Sequence, residues 1–384
     1  MDFSLTDQQI EFKQTIAEFA KKTLNSNVME RDKNRIFSRM LWKKCAEMGI
    51  FALPLPERYG GLGVDTLSMA LAMEGLGYGC NDNGLVFAIN TQLWSGEIPI
   101  LHFGTEEQKE RYLPLLCSGD MIGGHAMTEP DHGSDAFGIR THAKRIDGGY
   151  VLNGSKVFIT NAPVADILIV FAVTAPEKKF MGISAFIVER KTDGLTFGKN
   201  IDMMGLRTCP IGEFGLQDCF VPECQRLGNE GAGSAIFNSE MELERTCLFA
   251  CHVGVIDKLT EICCNYTRTR SQGENLIGSY QSVAHKIADM RVRSELARNL
   301  IYKIAWMKDR GKSALLESSI AKLYISEAVV LTCTDAMQIH GAYGYSEEYE
   351  IERFVRDAMA STIYSGTTEI QRNTIARFLG LPVR

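Results

Sequence analysis

The sequence predicts an α+β protein made of three successive domains: an N-terminal all-helical domain at 1–120, a middle β domain at 121–235 and a C-terminal four-helix bundle at 236–384. Apolar residues recur at helical spacing through both outer thirds. The middle third instead holds short Ile- and Val-rich runs bounded by Gly, Pro and Asn. This helix–sheet–helix order, without alternation of strands and helices, argues against a doubly wound nucleotide fold.

Thr6-Asp7-Gln8-Gln9 forms a capping box, after which Ile16, Phe19 and Ala20 fall on one helical face. The segment 53–63 is dense in Pro and Gly and reads as a loop. Its Gly60-Gly61-Leu62-Gly63 is no dinucleotide fingerprint, because no predicted strand precedes it. Helical patterning resumes over 66–77 and 105–116, with Thr105 as the second N-cap. In the middle domain, 150–159 reads as a hairpin turning at Asn153-Gly154, since Asn-Gly accepts positive φ. Two apolar runs, 166–173 and 183–188, read as strands, and 213–221 alternates less cleanly. From about Ser239 the chain is helical again, in segments 246–270, 279–308, 314–343 and 346–379 joined as an antiparallel bundle.

Composition narrows the function. Hydrophobic residues make up 45% and charged residues 23%, as in ordinary globular proteins. The net charge is −6, and Lys21-Lys22, Lys43-Lys44 and Lys178-Lys179 are isolated pairs, so a nucleic-acid partner is not expected. Met1 to Gln8 lacks the basic start and apolar core of an export signal, and no apolar run reaches a membrane span; a cytoplasmic protein is expected. The eleven cysteines contain no C-x-x-C, and the seven histidines show no metal-ligand spacing. Reduced thiols and no metal are therefore expected.

Met127-Thr128-Glu129-Pro130-Asp131-His132-Gly133-Ser134-Asp135 sets two hydroxyls around a Pro and a Gly, and alone it reads as a capped turn. It does not stand alone. The loop resembles the A-x-T-E-P-x-x-G-S-D motif of the acyl-CoA dehydrogenases, Gly154 to Asn161 resembles their G-x-K-x-[WF]-I-T-N strand, and Gln338 to Tyr345 resembles their Q-x-x-G-G-x-G-[FY] turn. Tyr364-Ser365-Gly366-Thr367-Thr368-Glu369-Ile370-Gln371 resembles their C-terminal Y-E-G-T-x-x-I-Q signature. The resemblance implies the acyl-CoA dehydrogenase fold and an FAD cofactor. It implies that Met127 and Thr128 bond the pyrimidine edge of the isoalloxazine ring, Ser134 meets the pyrophosphate, Phe158 covers the ring and Thr160 bonds near its N5 and O4. Donors at that edge stabilise the negative charge of reduced flavin. It further implies that Arg270, Gln338 and Gly341 reach the FAD of a neighbouring subunit in a homotetramer, and that Thr367 and Glu369 lie near the cofactor.

Two departures from the family pattern stand out. Where many members carry a Glu that removes the substrate proton, this chain has Ser365, and a serine hydroxyl is no base near neutral pH without an activating partner. In some members the carboxylate stands instead on a helix in an [LQ]-E-R context, which Glu244-Arg245 matches. A carboxylate in a dry, flavin-lined pocket is a competent base for a thioester α-proton. Glu242 serves as a control on another face, whereas Glu240 shares roughly the face of Glu244. Ser365 and Arg245 are assigned to substrate binding, Ser365 through its backbone N–H alone, which would polarise the thioester carbonyl together with a flavin hydroxyl. The second departure is Arg270-Ser271-Gln272-Gly273-Glu274, where Gly273 replaces an aromatic residue.

Gly79 to Ala88, Arg207-Thr208-Cys209-Pro210 and Glu244 to Ala250 are similar to the subgroup that oxidises prolyl groups on carrier proteins, in pyrrole-antibiotic and anatoxin-type alkaloid synthesis. This implies FAD-dependent α,β-dehydrogenation of an L-prolyl thioester on an acyl or peptidyl carrier protein, with an electron-transfer flavoprotein or oxygen as electron acceptor. The alternatives are a short or branched-chain acyl-CoA dehydrogenase and a non-catalytic flavin-binding scaffold.

Overall fold

Residues 4–383 are described by a computed structural model. Met1 to Phe3, part of the stretch read as lacking an export signal, lie outside them. The N-terminal region contains helices α1 (Asp7–Phe19), α2 (Val28–Asn34), α3 (Arg39–Glu47), α4 (Thr66–Gly79), α5 (Asn83–Asn90), α6 (Ile98–Phe103) and α7 (Glu106–Cys117). The capping boxes at Thr6 and Thr105 are both formed. Periodicity did not flag α2, α3 or the stretch from α5 to α6. That stretch is buried on nearly every face, so it carries no polar stripe to set a period.

Eight strands then pair into one sheet: β1 (Gly123–Ala126), β2 (His142–Ile146), β3 (Gly149–Thr160), β4 (Ile167–Val173), β5 (Ile183–Glu189), β6 (Leu195–Asn200), β7 (Ile211–Pro222) and β8 (Arg226–Leu227). Their order is β6-β7-β3-β2-β4-β5-β8, with β1 parallel to β4. β4 and β5 are apolar along their length because both faces are covered. Ile167, Ile169 and Phe171 pack toward Tyr112 and Leu116 of α7, while Leu168, Val170 and Ala172 pack with Leu152 and Phe214.

The hairpin turn is not at Asn153-Gly154. β3 runs straight through that pair as a bulge against β7, and the chain reverses at Asp147-Gly148 between β2 and β3. Gly148 supplies the positive φ of +76° the turn requires. At Gly154 a side chain is excluded for another reason: a Cβ would stand 2.4 Å from Thr141 Oγ1.

The C-terminal region opens with α8 (Gly233–Thr267), a 35-residue helix that begins well before the expected start at 246. Its first turns are rich in polar residues, so apolar periodicity under-reads them. A small hairpin, β9 (Ser271–Gln272) and β10 (Asn275–Leu276), follows, with Gly273 at φ +60° in its turn. That turn geometry explains glycine where the family pattern has an aromatic residue. Then come α9 (Gln281–Lys308), α10 (Leu315–His340), α11 (Ala342–Tyr345), α12 (Ile351–Met359) and α13 (Thr368–Phe378). The expected single helix over 346–379 is therefore broken. Glu350 and Ser365 both take left-handed φ values, of 58° and 54°, which interrupt it on either side of α12.

α8 joins the two helical regions at close range. A Cβ on Gly77 would stand 2.0 Å from Cys251 O, and one on Gly254 would stand 2.2 Å from Glu74 O, so the two backbones meet where neither helix has a side chain. No described helix is long and apolar enough to cross a membrane. The cysteines are unpaired, and among the described residues no cluster of His, Cys, Asp and Glu is arranged to hold a metal.

Candidate active site

Glu244 lies in the fourth turn of α8 and is half-buried. Two hydroxyls from distant parts of the chain hold its carboxylate. Ser95, on a π-helical stretch (Thr91–Glu97) linking α5 to α6, donates to Oε2 at 2.8 Å, and Ser365 donates to Oε1. The structure thus engages the Ser365 side chain, whereas the sequence assigned a role only to its backbone. The adjacent Arg245, 8% exposed, donates from Nε to the Ser365 carbonyl at 3.0 Å. Gln371 Nε2 donates to the carbonyls of Ser365 and Gly366 at 3.2 and 3.0 Å. Together they hold the strained turn in place, and Thr367 then caps α13 by accepting from the Ile370 N–H. Glu369 is exposed and accepts from the Thr368 hydroxyl. Glu242 points elsewhere, to Lys308 at 2.6 Å and Ser313 at 3.1 Å.

Behind this turn, Tyr364 meets His252 Nε2 at 2.5 Å and packs against the rings of Phe87 and Phe249. Burial, with the nearby Lys322 charge adding to it, pushes His252 down to about 4, so the ring is neutral. Lys322 is fully buried and, among the described residues, its Nζ has no hydrogen-bond partner; burial first, then Arg245, lowers it to about 7.

The loop at 127–135 is fastened to β3. Lys156, 1% exposed, donates from Nζ to the Met127 carbonyl and to Glu129, both at 2.9 Å. Glu129 also accepts from the backbone N–H groups of Arg140 and Thr141. The Val157 N–H donates to the Thr128 carbonyl at 3.1 Å. Burial lowers Lys156 to about 8, against the pull of Glu129. Past this anchor the strand bulges. Phe158 takes φ +57° and is 57% exposed, while Thr128 and Thr160 are half-buried. A large aromatic residue thus stands outside the core on left-handed backbone, a conformation rare for side chains of this size. Asn161 ties this edge to the N-terminal helices by donating to Ala88 O and Gly123 O at 3.1 Å each.

Ser134 is exposed. Arg270, Gln338 and Gly341 are also exposed, at the end of the bundle, where Arg270 lies over the Tyr343 ring at 5.6 Å. The structure therefore gathers Glu244, Arg245, Ser365 and Thr367 at one turn, and Met127, Thr128, Phe158 and Thr160 at one strand edge. Arg270, Gln338 and Gly341 form a third, separate group. Sequence reading missed Ser95 and the Lys156–Glu129 pair, although Lys156 stands inside a motif already singled out.

Two other motifs meet at the junction of the domains. Asp357 accepts from Leu206 N at 2.6 Å and from Asn83 Nδ2 at 3.0 Å, and Thr208 donates to Asp82. Beside them is a cavity of about 20 Å³, lined by Phe87, Leu248, His252 and Tyr364 among others; it has room for about one water.

Three family descriptions match the chain in succession: acyl-CoA dehydrogenase N-terminal domain over 6–120, middle domain over 124–219 and C-terminal domain over 231–380. An L-prolyl-[peptidyl-carrier protein] dehydrogenase of Pseudomonas fluorescens is 41% identical over 382 residues, which is 99% of this chain and 100% of the relative. A short-chain-specific acyl-CoA dehydrogenase of Megasphaera elsdenii is 40% identical over 97% of both chains. Among solved structures, the prolyl acyl carrier protein oxidase AnaB superposes with a TM-score of 0.97 at 48% identity, over 98% of this chain and 100% of that one. The FAD complex of PigA gives 0.97 at 40% identity over both whole chains.

Proposed function

The chain belongs to the acyl-CoA dehydrogenase family, and from that premise we propose that it α,β-dehydrogenates an L-prolyl thioester on an acyl or peptidyl carrier protein, with FAD as cofactor. Relatives named for prolyl-carrier oxidation, similar over nearly the whole chain, support the substrate class. The observation that carries the mechanism is the carboxylate of Glu244, hydrogen-bonded to Ser365 at the very turn where the family's usual Glu is missing.

The residues present fit the cofactor: an exposed Phe158 ring, half-buried hydroxyls at Thr128 and Thr160, and a loop locked by Lys156. Met127, Thr128, Ser134, Phe158 and Thr160 would hold it within one chain, with Thr367 and Glu369 nearby. Arg270, Gln338 and Gly341 would reach it from a neighbour, and their exposure at the end of the bundle supports a homotetramer. When bound, FAD supplies the acceptor for the hydride leaving the β-carbon.

Glu244 takes the α-proton. Ser95 and Ser365 fix both its oxygens, so the free lone pairs of the carboxylate keep one direction, as a positioned general base requires. Arg245 and Gln371 hold the Ser365 carbonyl and so fix the turn from which the Ser365 N–H would polarise the thioester carbonyl. The first product is an enamine, whose isomerisation gives a pyrroline imine; loss of two hydrogens marks an enzyme that stops there, and loss of four one that goes on to the pyrrole-2-carboxyl thioester. An electron-transfer flavoprotein or oxygen takes the electrons onward.

The test is anaerobic mixing of the holoenzyme with prolyl-loaded carrier protein or with octanoyl-CoA. Prolyl carrier should bleach the flavin, and mass spectrometry should show loss of two or four hydrogens. Rapid bleaching by octanoyl-CoA, with none by prolyl carrier, would return the chain to the general acyl-CoA class.

A further inference from the structure

One turn of α8 before Glu244, on the same face, stands a second carboxylate that the reaction above does not use. Glu240 is 1% exposed, and its Oε1 lies 2.6 Å from Nε2 of His125 on β1. The contact is close but off-line for a hydrogen bond. Among the described residues, neither Glu240 oxygen nor His125 Nε2 has a well-aligned partner. The His125 ring stacks on Phe237 at 5.8 Å and meets Phe171 edge-on at 5.1 Å, and its side chain keeps 14% exposure while that of Glu240 has none.

A buried carboxylate with open acceptor positions is expensive to keep unless a cation or donor completes it. His125 supplies one neighbour. Burial raises Glu240 to about 7, with His125 opposing that rise and Glu244 adding to it. His125 in turn is disfavoured as a cation by burial, but Glu240 and Glu244 outweigh this and raise it; Lys156 is the opposing charge nearby. Both carboxylates and the imidazole thus share one electrostatic environment, about one helical turn across, roughly 6 Å along the axis.

The prolyl group brings a matching charge. Its secondary amine is bonded directly to the α-carbon that Glu244 deprotonates, so a ring seated on Glu244 carries its N–H groups within a few ångströms of that face. A hydrocarbon acyl chain offers only methylenes there. Resting on the reading of the chain as a prolyl-thioester dehydrogenase, we infer that Glu240, backed by His125, binds the ring nitrogen of the prolyl group and is the residue pair that selects a cyclic amino-acyl thioester over a hydrocarbon one. A site built around a donor discriminates strongly against an isostere that lacks it, because its own acceptors are left unpaired.

The experiment compares two carrier-bound substrates of equal ring size, L-prolyl and cyclopentanecarbonyl, by anaerobic stopped-flow reduction of the FAD holoenzyme. The intrinsic difference in α-proton acidity cancels when the ratio of the two rates is compared between wild type and variant. Glu240→Gln should retain FAD and lower the prolyl-to-cyclopentanecarbonyl ratio on the order of a hundredfold. His125→Gln should lower it about tenfold in the same sense. An unchanged ratio, or an equal loss on both substrates, makes Glu240 merely structural and overturns the inference. If Glu240→Gln fails to bind FAD, His125→Gln decides alone: an unchanged ratio there also overturns it. Wild-type enzyme that is not reduced by prolyl carrier removes the underlying functional reading, a result seen before any variant is made.

Discussion

Ser365 donates its hydroxyl to Glu244 Oε1 across 121 residues of sequence. The residue that replaces the family's usual base thus hydrogen-bonds the residue assigned to succeed it. Ser95, on the far side, donates to the other oxygen at 2.8 Å.

Glu244→Gln keeps size and hydrogen bonding but removes the basic lone pair. FAD should stay bound while flavin reduction by prolyl carrier falls about a thousandfold. Glu242→Gln should change the rate little, because Glu242 pairs with Lys308 and Ser313 instead. A near-normal rate for Glu244→Gln would move proton abstraction elsewhere in the chain.

Ser365→Ala and Ser95→Ala should each slow flavin reduction about tenfold, as expected for a lost hydrogen bond to a charged group worth about 1.5–3 kcal/mol, partly restored by water. The structure raises this expectation above the mild effect that follows from a backbone-only role for Ser365. Stopped-flow rates with FAD content held equal check it. A Ser365→Ala enzyme at full speed would show that the hydroxyl contributes nothing.

Glu97 is fully buried, and among the described residues neither of its oxygens has a hydrogen-bond partner. Burial raises it well above its ordinary 4.5. The folded state therefore holds the proton more tightly than the unfolded state. The stability this contributes is complete below about 4.5 and is lost as pH rises toward the folded value. Glu97→Gln removes that dependence, so its stability relative to wild type should grow with pH by about 1.4 kcal/mol per unit across the window. Thermal melts of both proteins at pH 5 and pH 8 test this; a constant difference in Tm would contradict it.

Gly77→Ala should destabilise by about 1–3 kcal/mol, since the added methyl meets the Cys251 carbonyl of α8 and backbone has little room to shift. The readout is a lowered Tm in the holoenzyme, with Gly148→Ala as a contrast. There nothing lies within 4 Å, and only the positive φ opposes the side chain.

The order of helices, sheet and helices was legible from periodicity, and so were the capping box at Thr6 and the N-cap at Thr105, because these depend on residues three or four apart. Glu244 stood out as a candidate through Glu244-Arg245 and the missing Glu at Ser365, and the structure sets its carboxylate against Ser365. The turn at Asn153-Gly154 was misread because a bulge between β3 and β7 uses the same residues as a hairpin, and only the pairing register distinguishes them. The last helix was read as one because its apolar spacing continues through Glu350 and Ser365, while left-handed backbone at both breaks it. Tertiary structure alone brought Ser95 and Ser365 to the two oxygens of Glu244, and His125 to Glu240. Each of those contacts joins segments far apart in sequence, and its geometry is fixed by how α8 packs between the domains rather than by any local pattern.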